Sequence, residues 1–155
     1  MKVLKVILAS ISILLMLLAL VGPLGPIPGL FIGGTSAKAP EKWDDTSNVD
    51  EIMLRVPGTV PRVVIIWFVE HGGELHVVGN RKSGWVAMIG AEFQVEMRLG
   101  DNTYALQAIA VTEGWEPILE AYVAKYHADY PDTVAGFPSI DEAKNRMAVF
   151  RLNRT

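Results

Sequence analysis

The hydrophobic and polar positions divide the chain into an apolar start, a polar segment and a patterned remainder. Residues 3–21 contain only apolar residues, serines and Lys5. A run of about 20 such residues is long enough to span a bilayer as a helix. Prolines interrupt the second apolar stretch, residues 24–32, so the helix should not continue through it. We therefore predict a transmembrane helix followed by an apolar Pro/Gly segment over residues 1–34.

Two other interpretations of this start stay open. A cleaved signal peptide also has a basic start, an apolar run and a small-residue cleavage site, and residues 35–39 supply such residues. The second of these interpretations is an unusual helix buried within the protein. Lys2 and Lys5 before the run favour a cytoplasmic amino terminus and an extracytoplasmic domain. The predicted localisation is thus a single-pass membrane protein, with cleavage of residues 1–37 left open.

The polar segment and the remainder differ in pattern. Residues 35–50 are polar, charged and contain Pro40, which is typical of a tether. The domain proper should occupy residues 51–155. Residues 63–70 are mostly β-branched or aromatic, which indicates a strand buried on both faces. Apolar and polar residues alternate over residues 93–99, so one face of that strand should contact the core.

Turn residues separate the predicted strands in pairs, as in hairpins. The predicted strands cover residues 52–56, 63–70, 74–78, 93–99, 103–111 and 147–152. Helical spacing predicts a helix over residues 117–128. Ser139 and Glu142 have the spacing of a capping box that opens a further helical turn. Several hairpin-linked strands with few helices predict a mainly β (α+β) fold, a small closed or partly closed barrel.

Composition then narrows the function. The chain has 14 basic and 17 acidic side chains and a formal net charge of −3, and this balance does not favour nucleic-acid binding. It has no cysteine, which excludes disulfides, thiolate metal sites and cysteine nucleophiles. His71, His76 and His127 lack metal-ligand spacing. We predict neither a nucleic-acid partner nor a metal site.

The best candidate site is the segment of residues 80–84, Asn-Arg-Lys-Ser-Gly. Backbone amides at a glycine, the amino terminus of a helix and two cations can together bind an anion such as phosphate. Arg81 would donate a fork of hydrogen bonds, Lys82 would act as a point charge, and Ser83 would cap the helix or donate to the anion. The alternative interpretation is a solvated hairpin loop with a capping serine.

Tryptophans lie close to this segment in sequence. Indole rings pack well on flat conjugated ligands, so Trp67 and Trp85 are candidates to border such a ring. The alternative for both is ordinary core packing. Trp43 falls in the predicted tether, where contact with a membrane interface is expected.

The order of these segments resembles the deazaflavin-dependent nitroreductase family, among the flavin- and deazaflavin-binding split β-barrels. Residues 72–78 resemble the family's hairpin before a basic glycine loop, and residues 80–84 resemble that loop. Residues 85–89 resemble the short helix after it, and residues 93–99 the next strand. The resemblance covers about residues 51–152 and implies a small split β-barrel with one or two helices.

The resemblance also implies a cofactor, F420 or FMN, and a homodimer. The implied cofactor-binding residues are Trp67, Asn80, Arg81, Lys82, Ser83, Gly84 and Trp85. In such enzymes the cofactor carries the hydride, so no catalytic side chain is predicted. The first functional prediction is therefore a membrane-anchored oxidoreductase that transfers hydride to a quinone or nitro-type acceptor.

Two alternatives stay open beside this prediction, and a departure from the family supports the first of them. The family carries an earlier Gly-Arg-Lys-Ser/Thr-Gly segment, and residues 56–62 contain no matching run. A non-enzymatic barrel that holds haem, lipid, another apolar ligand or no cofactor is therefore the second functional prediction. The third is an interaction module that the anchor displays to a partner at the membrane.

Overall fold

Residues 35–154 contain a sheet of seven strands with short helices packed on it. The computed structural model describes residues 2–23 and 27–155, without the side chains of residues 2 and 18–21. The strands are β1 (Thr35–Ala37), β2 (Glu51–Val56), β3 (Arg62–His71), β4 (Glu74–Asn80), β5 (Glu92–Leu99), β6 (Asn102–Ala110) and β7 (Met147–Arg154). The helices are α1 (Lys2–Val21), α2 (Gly84–Ile89), α3 (Glu116–Tyr126), α4 (Pro131–Ala135) and α5 (Ile140–Arg146).

Six of the strands close into a barrel. The sheet order is β1-β6-β5-β2-β3-β4-β7, and a further pairing of β7 with β6 closes the strands from β2 to β7 into a ring. The carboxyl-terminal half of β6, residues 106–110, pairs with β7, whereas residues 102–104 pair in parallel with β1. The predicted mainly β barrel is therefore confirmed, and β1 is an additional strand that the sequence pattern did not indicate.

The barrel is split where β3 and β4 diverge. These two strands pair only over Phe68–His71, and β4 continues against β7 up to Asn80. Helix α3 covers the divergence with Tyr122. Its hydroxyl accepts a hydrogen bond from the backbone N–H of Val78 (3.1 Å) and donates one to the carbonyl oxygen of Trp67 (2.7 Å). One side chain thus satisfies backbone groups of both strands where they no longer pair with each other.

A second tyrosine of α3 closes the end of β2. The backbone N–H of Phe68 donates to the hydroxyl of Tyr126 (3.0 Å), and that hydroxyl lies 2.7 Å from the carbonyl oxygen of Asp50. The two tyrosines are one helical turn apart, and both are at least 96% buried. Their spacing therefore fixes both the position and the direction of α3 over the sheet.

The helix boundaries agree with the sequence signals. Pro117 lies in the first turn of α3. The capping box at the start of α5 is formed, because the hydroxyl of Ser139 accepts from the N–H of Glu142 and the Glu142 carboxylate accepts from the N–H of Ser139. Pro131, which ends the predicted helix, also begins the short helix α4.

The apolar start is helical, but the transmembrane prediction is not supported. Helix α1 covers the predicted range and exposes its apolar side chains from Val3 to Leu17. Within residues 2–23 and 27–155, no helix is both long enough and apolar enough to cross a membrane. Part of the predicted apolar Pro/Gly segment, residues 24–26, lies outside the described residues.

The segment predicted as a tether lies against the barrel. Trp43 is 3% exposed and packs edge-on against Tyr104, with ring centroids 5.2 Å apart, rather than contacting a membrane interface. The ammonium of Lys125 donates to the carbonyl oxygens of Thr46 (3.2 Å) and Val49 (2.8 Å). The prediction of a tether rested on the mostly polar composition of this segment, and it did not take into account the few residues, such as Trp43, that bind the segment to the barrel.

One predicted core residue lies outside the core. Phe93 is 36% exposed, whereas Val95 and Met97 on the same face of β5 are buried. Strand β2 pairs only with Glu96–Arg98 of β5, so it does not reach Phe93. The alternation therefore predicted correctly which face of β5 points to the core. It did not predict over how many residues the neighbouring elements cover that face.

The hydroxyl of Tyr122 should contribute measurably to stability. Tyr122→Phe keeps the ring but leaves the N–H of Val78 and the carbonyl of Trp67 without this partner, which should lower the free energy of unfolding by about 1–3 kcal/mol. Urea unfolding measures this change. Tyr104→Phe is the matched control, since the described residues offer its hydroxyl no hydrogen bond; equal stability of both variants would contradict the assignment.

Candidate functional site

A groove of ≈ 430 Å³ lies between α3, the outer face of the sheet and the segment joining α4 to α5. This volume falls in the range of small-molecule sites, about 300–1,000 Å³. The residues lining the groove are Trp67, Val78, Leu119, Glu120, Tyr122, Val123, Ala124, Phe137, Pro138, Ile140 and Met147.

Trp67 forms the aromatic part of the groove wall. It projects from β3 on the outer face of the barrel and stacks on Tyr126, with ring centroids 4.1 Å apart and planes within 9°. Tyr130 lies 5.0 Å and Phe137 6.2 Å from the same ring. The packed neighbours hold the indole in one orientation, so a flat ligand would meet a rigid wall.

Polar side chains are scarce in this groove. Of the described residues that line it, Glu120 alone carries a carboxylate, and the hydroxyl of Tyr122 is already used by the backbone of Trp67 and Val78. Burial raises the pKa of Tyr122 well above its ordinary value, so this phenol stays protonated. The groove itself therefore favours a largely apolar ligand.

The predicted basic segment lies next to one end of the groove. Asn80 is the last residue of β4, and it pairs with Met147, which lines the groove. After Asn80 the chain makes a tight turn, in which the N–H of Ser83 donates to the carbonyl of Asn80 (2.8 Å) and the N–H of Lys82 to its side-chain oxygen (2.9 Å). The N–H of Arg81 donates to the carbonyl of Arg146 (2.9 Å).

An anion would therefore be bound at this turn by side chains rather than by a cradle of free amides. Arg81, Lys82 and the turn glycine Gly84 are exposed, and the hydroxyl of Ser83 makes no capping hydrogen bond to α2. In the described part of the chain, no carboxylate forms a salt bridge with Arg81 or Lys82. The guanidinium of Arg81 donates one hydrogen bond, to the carbonyl oxygen of Lys144 (3.4 Å), and its other N–H groups and the Lys82 ammonium can bind an anion.

Sequence reasoning missed a third cation at this turn. A Cβ atom added to Gly84 would collide with the guanidinium of Arg62, so the first residue of β3 reaches the start of α2. Arg62 is separated from Gly84 by more than twenty residues, and no local sequence signal announces such a contact. Arg62, Arg81 and Lys82 therefore surround the same turn.

The structure does not bring the two predicted tryptophans together. Trp85 is 7% exposed and packs inside the barrel, where its ring lies 5.8 Å from Phe150 and directly over Gly79. Trp67 belongs to the separate cluster between the sheet and α3. Trp85 is therefore a core residue, as in the alternative interpretation of the sequence, whereas Trp67 borders the groove.

Two of the three histidines lie close together, with the ring centroids of His71 and His76 6.3 Å apart. Within the described ranges, no group of three or more His, Asp or Glu side chains is arranged to hold a metal ion. His76 is 4% exposed and donates from Nδ1 to the carbonyl of Glu74 (3.1 Å). Burial lowers the pKa of His76 below its ordinary value of 6.5, and the nearby charges of His71 and Arg151 act in the same direction.

His76 should make the protein less stable in mild acid. Because the folded protein disfavours the imidazolium, the unfolded chain binds the extra proton first as the pH falls. The contribution is therefore complete above about pH 6.5 and is lost as the pH falls from that value through the lower pKa of the folded protein. The slope from this one group is at most about 1.4 kcal/mol per pH unit.

Urea unfolding between neutral pH and mild acid checks this dependence. His76→Gln should flatten the curve relative to the wild type, whereas His127→Gln, which changes an exposed histidine, should not. An unchanged slope in His76→Gln would show that this imidazole is not the responsible group.

Comparisons with known proteins give a likeness of fold. No protein-family model matches the chain, and no curated protein matches it. A NimC/NimA family protein from Clostridium acetobutylicum is 18% identical, with a TM-score of 0.43, and the match covers 66% of this chain and 72% of that chain. A protein from Bacteroides thetaiotaomicron, described as a putative 5-nitroimidazole antibiotic resistance protein, is 15% identical with a TM-score of 0.44, covering 70% and 74%.

A third solved structure is HutZ, described as the haem storage protein of Vibrio cholerae. It is 13% identical, with a TM-score of 0.47, and the match covers 70% of this chain and 83% of that chain. The assignment of a split barrel rests on the strand pairing described above.

Proposed function

We propose that the domain binds a flat, conjugated ligand that carries an anionic group, of the flavin or deazaflavin type. The single observation that carries this proposal is the juxtaposition of the groove with the basic turn. The groove has an indole wall at Trp67, and its Met147 end adjoins Arg81 and Lys82. An amphiphilic ligand with one anionic end matches this distribution of apolar surface and charge.

The residues that surround the groove have defined tasks under this proposal. Trp67 contacts one face of the ring, the apolar side chains of α3 exclude water, and Arg81 and Lys82 hold the anion. A bound FMN or F420 would supply the hydride chemistry. The activity that follows is an oxidoreductase acting on a quinone or nitro-type acceptor, with no side chain of the chain acting as acid or base.

The second candidate is a haem or another apolar ligand held without hydride transfer. The observation that favours it is the scarcity of polar side chains in the groove, where Glu120 is the only charged one among the lining residues that the structure describes. The ring edge of a flavin carries several hydrogen-bonding groups, whereas a porphyrin confines its charge to two carboxylates. Both ligands share a flat ring and an anionic group, and direct titration distinguishes them.

The localisation and the homodimer stay predictions from the sequence. Sedimentation of the full chain with membranes at high salt, followed by light scattering of the detergent-released protein, measures both. Release by salt alone would contradict membrane anchoring, and a monomeric mass would contradict the homodimer.

The two cations of the basic turn provide the sharpest test of the proposed ligand. Arg81→Ala together with Lys82→Ala removes two charge-assisted contacts and should weaken binding of FMN, F420 or haem on the order of 100-fold. Thermal unfolding should change little, because both side chains are exposed. Absorption titration of the full chain with each ligand measures the affinity and identifies the ligand class.

The matched control removes the same charge elsewhere on the surface. Lys38→Ala with Lys42→Ala changes two exposed lysines and should leave the affinity as in the wild type. Equal binding by the Arg81/Lys82 variant and the wild type would refute the anion site, and failure of the wild type to bind any of the three ligands would refute the proposed function.

A further inference from the structure

Cations from three elements of the fold meet at the basic turn of residues 80–84. Arg81 and Lys82 belong to the turn itself, and Arg62 at the start of β3 lies against Gly84. Arg146, the last residue of α5, adjoins them because its carbonyl oxygen accepts a hydrogen bond from the N–H of Arg81 (2.9 Å). We call Arg62, Arg81, Lys82 and Arg146 the basic cluster.

The described residues supply no carboxylate partner to the basic cluster. The side-chain ion pairs among them join Arg55 to Glu96 and Arg154 to Glu74. Like charges that lie close together repel each other, and an anion bound between them removes this repulsion. The cluster therefore favours an anionic ligand.

Arg62 is the member of the cluster that is least exposed to water. It is half-buried, whereas Arg81, Lys82 and Arg146 are exposed. Its guanidinium carries five N–H donors, and donors that lose water without gaining an acceptor cost free energy. In the described part of the chain, the arginine side chains that donate hydrogen bonds are those of Arg55, Arg81, Arg98, Arg151 and Arg154. A ligand anion would supply the acceptors that Arg62 lacks.

Gly84 is the residue that allows Arg62 to reach the turn. A Cβ atom at this position would collide with the guanidinium, so only glycine leaves the space that Arg62 occupies. Two peptide units separate Gly84 from Lys82, which places their Cα atoms at most about 7.6 Å apart. The side chains of Arg62 and Lys82 can therefore contact two groups of one small ligand.

A single phosphate has too few oxygens for the whole cluster. A phosphate ester presents three acceptor oxygens, and one forked guanidinium together with one ammonium already occupies them. Three guanidinium groups and an ammonium need more acceptors, spread over a longer distance. A diphosphate offers these acceptors, since it has two phosphoryl groups joined by a bridging oxygen.

We infer that the basic cluster binds a diphosphate group, with Arg62 and Arg146 contacting the phosphoryl group that Arg81 and Lys82 do not hold. The inference rests on the anion site of the proposed function and narrows its ligand to one that carries a diphosphate, such as a flavin dinucleotide. The ring of that ligand lies in the groove. Its second nucleotide extends from the turn into solvent, since the side chains of the turn are exposed.

Isothermal titration calorimetry of the full chain with inorganic diphosphate and with inorganic phosphate tests the inference without a flat ring. The wild type should bind diphosphate at least about tenfold more tightly than phosphate, because additional charge-assisted contacts form. Arg62→Gln with Arg146→Gln should reduce this preference to about threefold or less. Lys38→Gln with Lys42→Gln removes the same charge from two exposed lysines and should keep the preference of the wild type.

A second variant tests the position of Arg62 without removing a charge. Gly84→Ala places a methyl group where the guanidinium of Arg62 lies, so it should weaken diphosphate binding more than phosphate binding. Urea unfolding verifies that each variant is folded. A wild type without a preference for diphosphate, or a preference that both Gly84→Ala and the Arg62/Arg146 variant retain in full, overturns the inference.

Titration of the wild type with FAD and with FMN separates this inference from the proposed function. We expect FAD to bind more tightly than FMN, and Arg62→Gln with Arg146→Gln to remove the difference. Binding of inorganic diphosphate without binding of either flavin or of F420 or haem would refute the proposed function and leave the diphosphate site standing. Binding of FMN as tightly as FAD would refute the diphosphate site and leave the proposed function standing.

Discussion

The structure depends on how the backbone is satisfied where β3 and β4 part. Two paired strands that diverge leave N–H and C=O groups without partners, and burying such groups unpaired costs about 1–3 kcal/mol each. The hydroxyl of Tyr122 bonds to one such group on each strand, Val78 and Trp67. The helix that carries Tyr122, α3, lies across the divergence and satisfies these groups.

The groove and the basic turn both follow from this divergence. Because β4 continues along β7 after its pairing with β3 ends at Val77, the outer face beside Trp67 is covered by α3 on one side only. The space that α3 leaves open is the groove. The same pairing brings Asn80 opposite Met147, so the turn that carries Arg81 and Lys82 must come at the end of the groove. The groove and the position of the basic turn thus both follow from the divergence of β3 and β4.

Local patterns were sufficient to predict most elements of the fold. The two-residue alternation, the glycine turns and the capping box of Ser139 predicted strands and helices close to their observed bounds, since each signal depends on neighbouring residues. Features that depend on contacts between distant segments could not be predicted from these local patterns. The parallel pairing of Thr35–Ala37 with β6 and the burial of Trp43 depend on segments far apart in sequence.

The candidate site shows the same limit. The turn of residues 80–84 could be predicted, because the residues that define it are consecutive in sequence. The contact of Arg62 with Gly84 could not be predicted, because the two residues are far apart in sequence. Trp67 and Trp85 were equivalent in sequence because both adjoin apolar strands. Only the folded barrel shows that Trp67 lies on its outer face and Trp85 in its interior. The groove itself depends on the packing of α3 against three strands, which no single segment encodes.

The central claim concerns where a ligand is bound, and a crystal structure of the full chain with FMN or haem tests it most directly. The account predicts the ring in the groove beside Trp67 and α3, with its anionic group in contact with Arg81 or Lys82. A ligand bound elsewhere, such as inside the barrel beside Trp85, would contradict it.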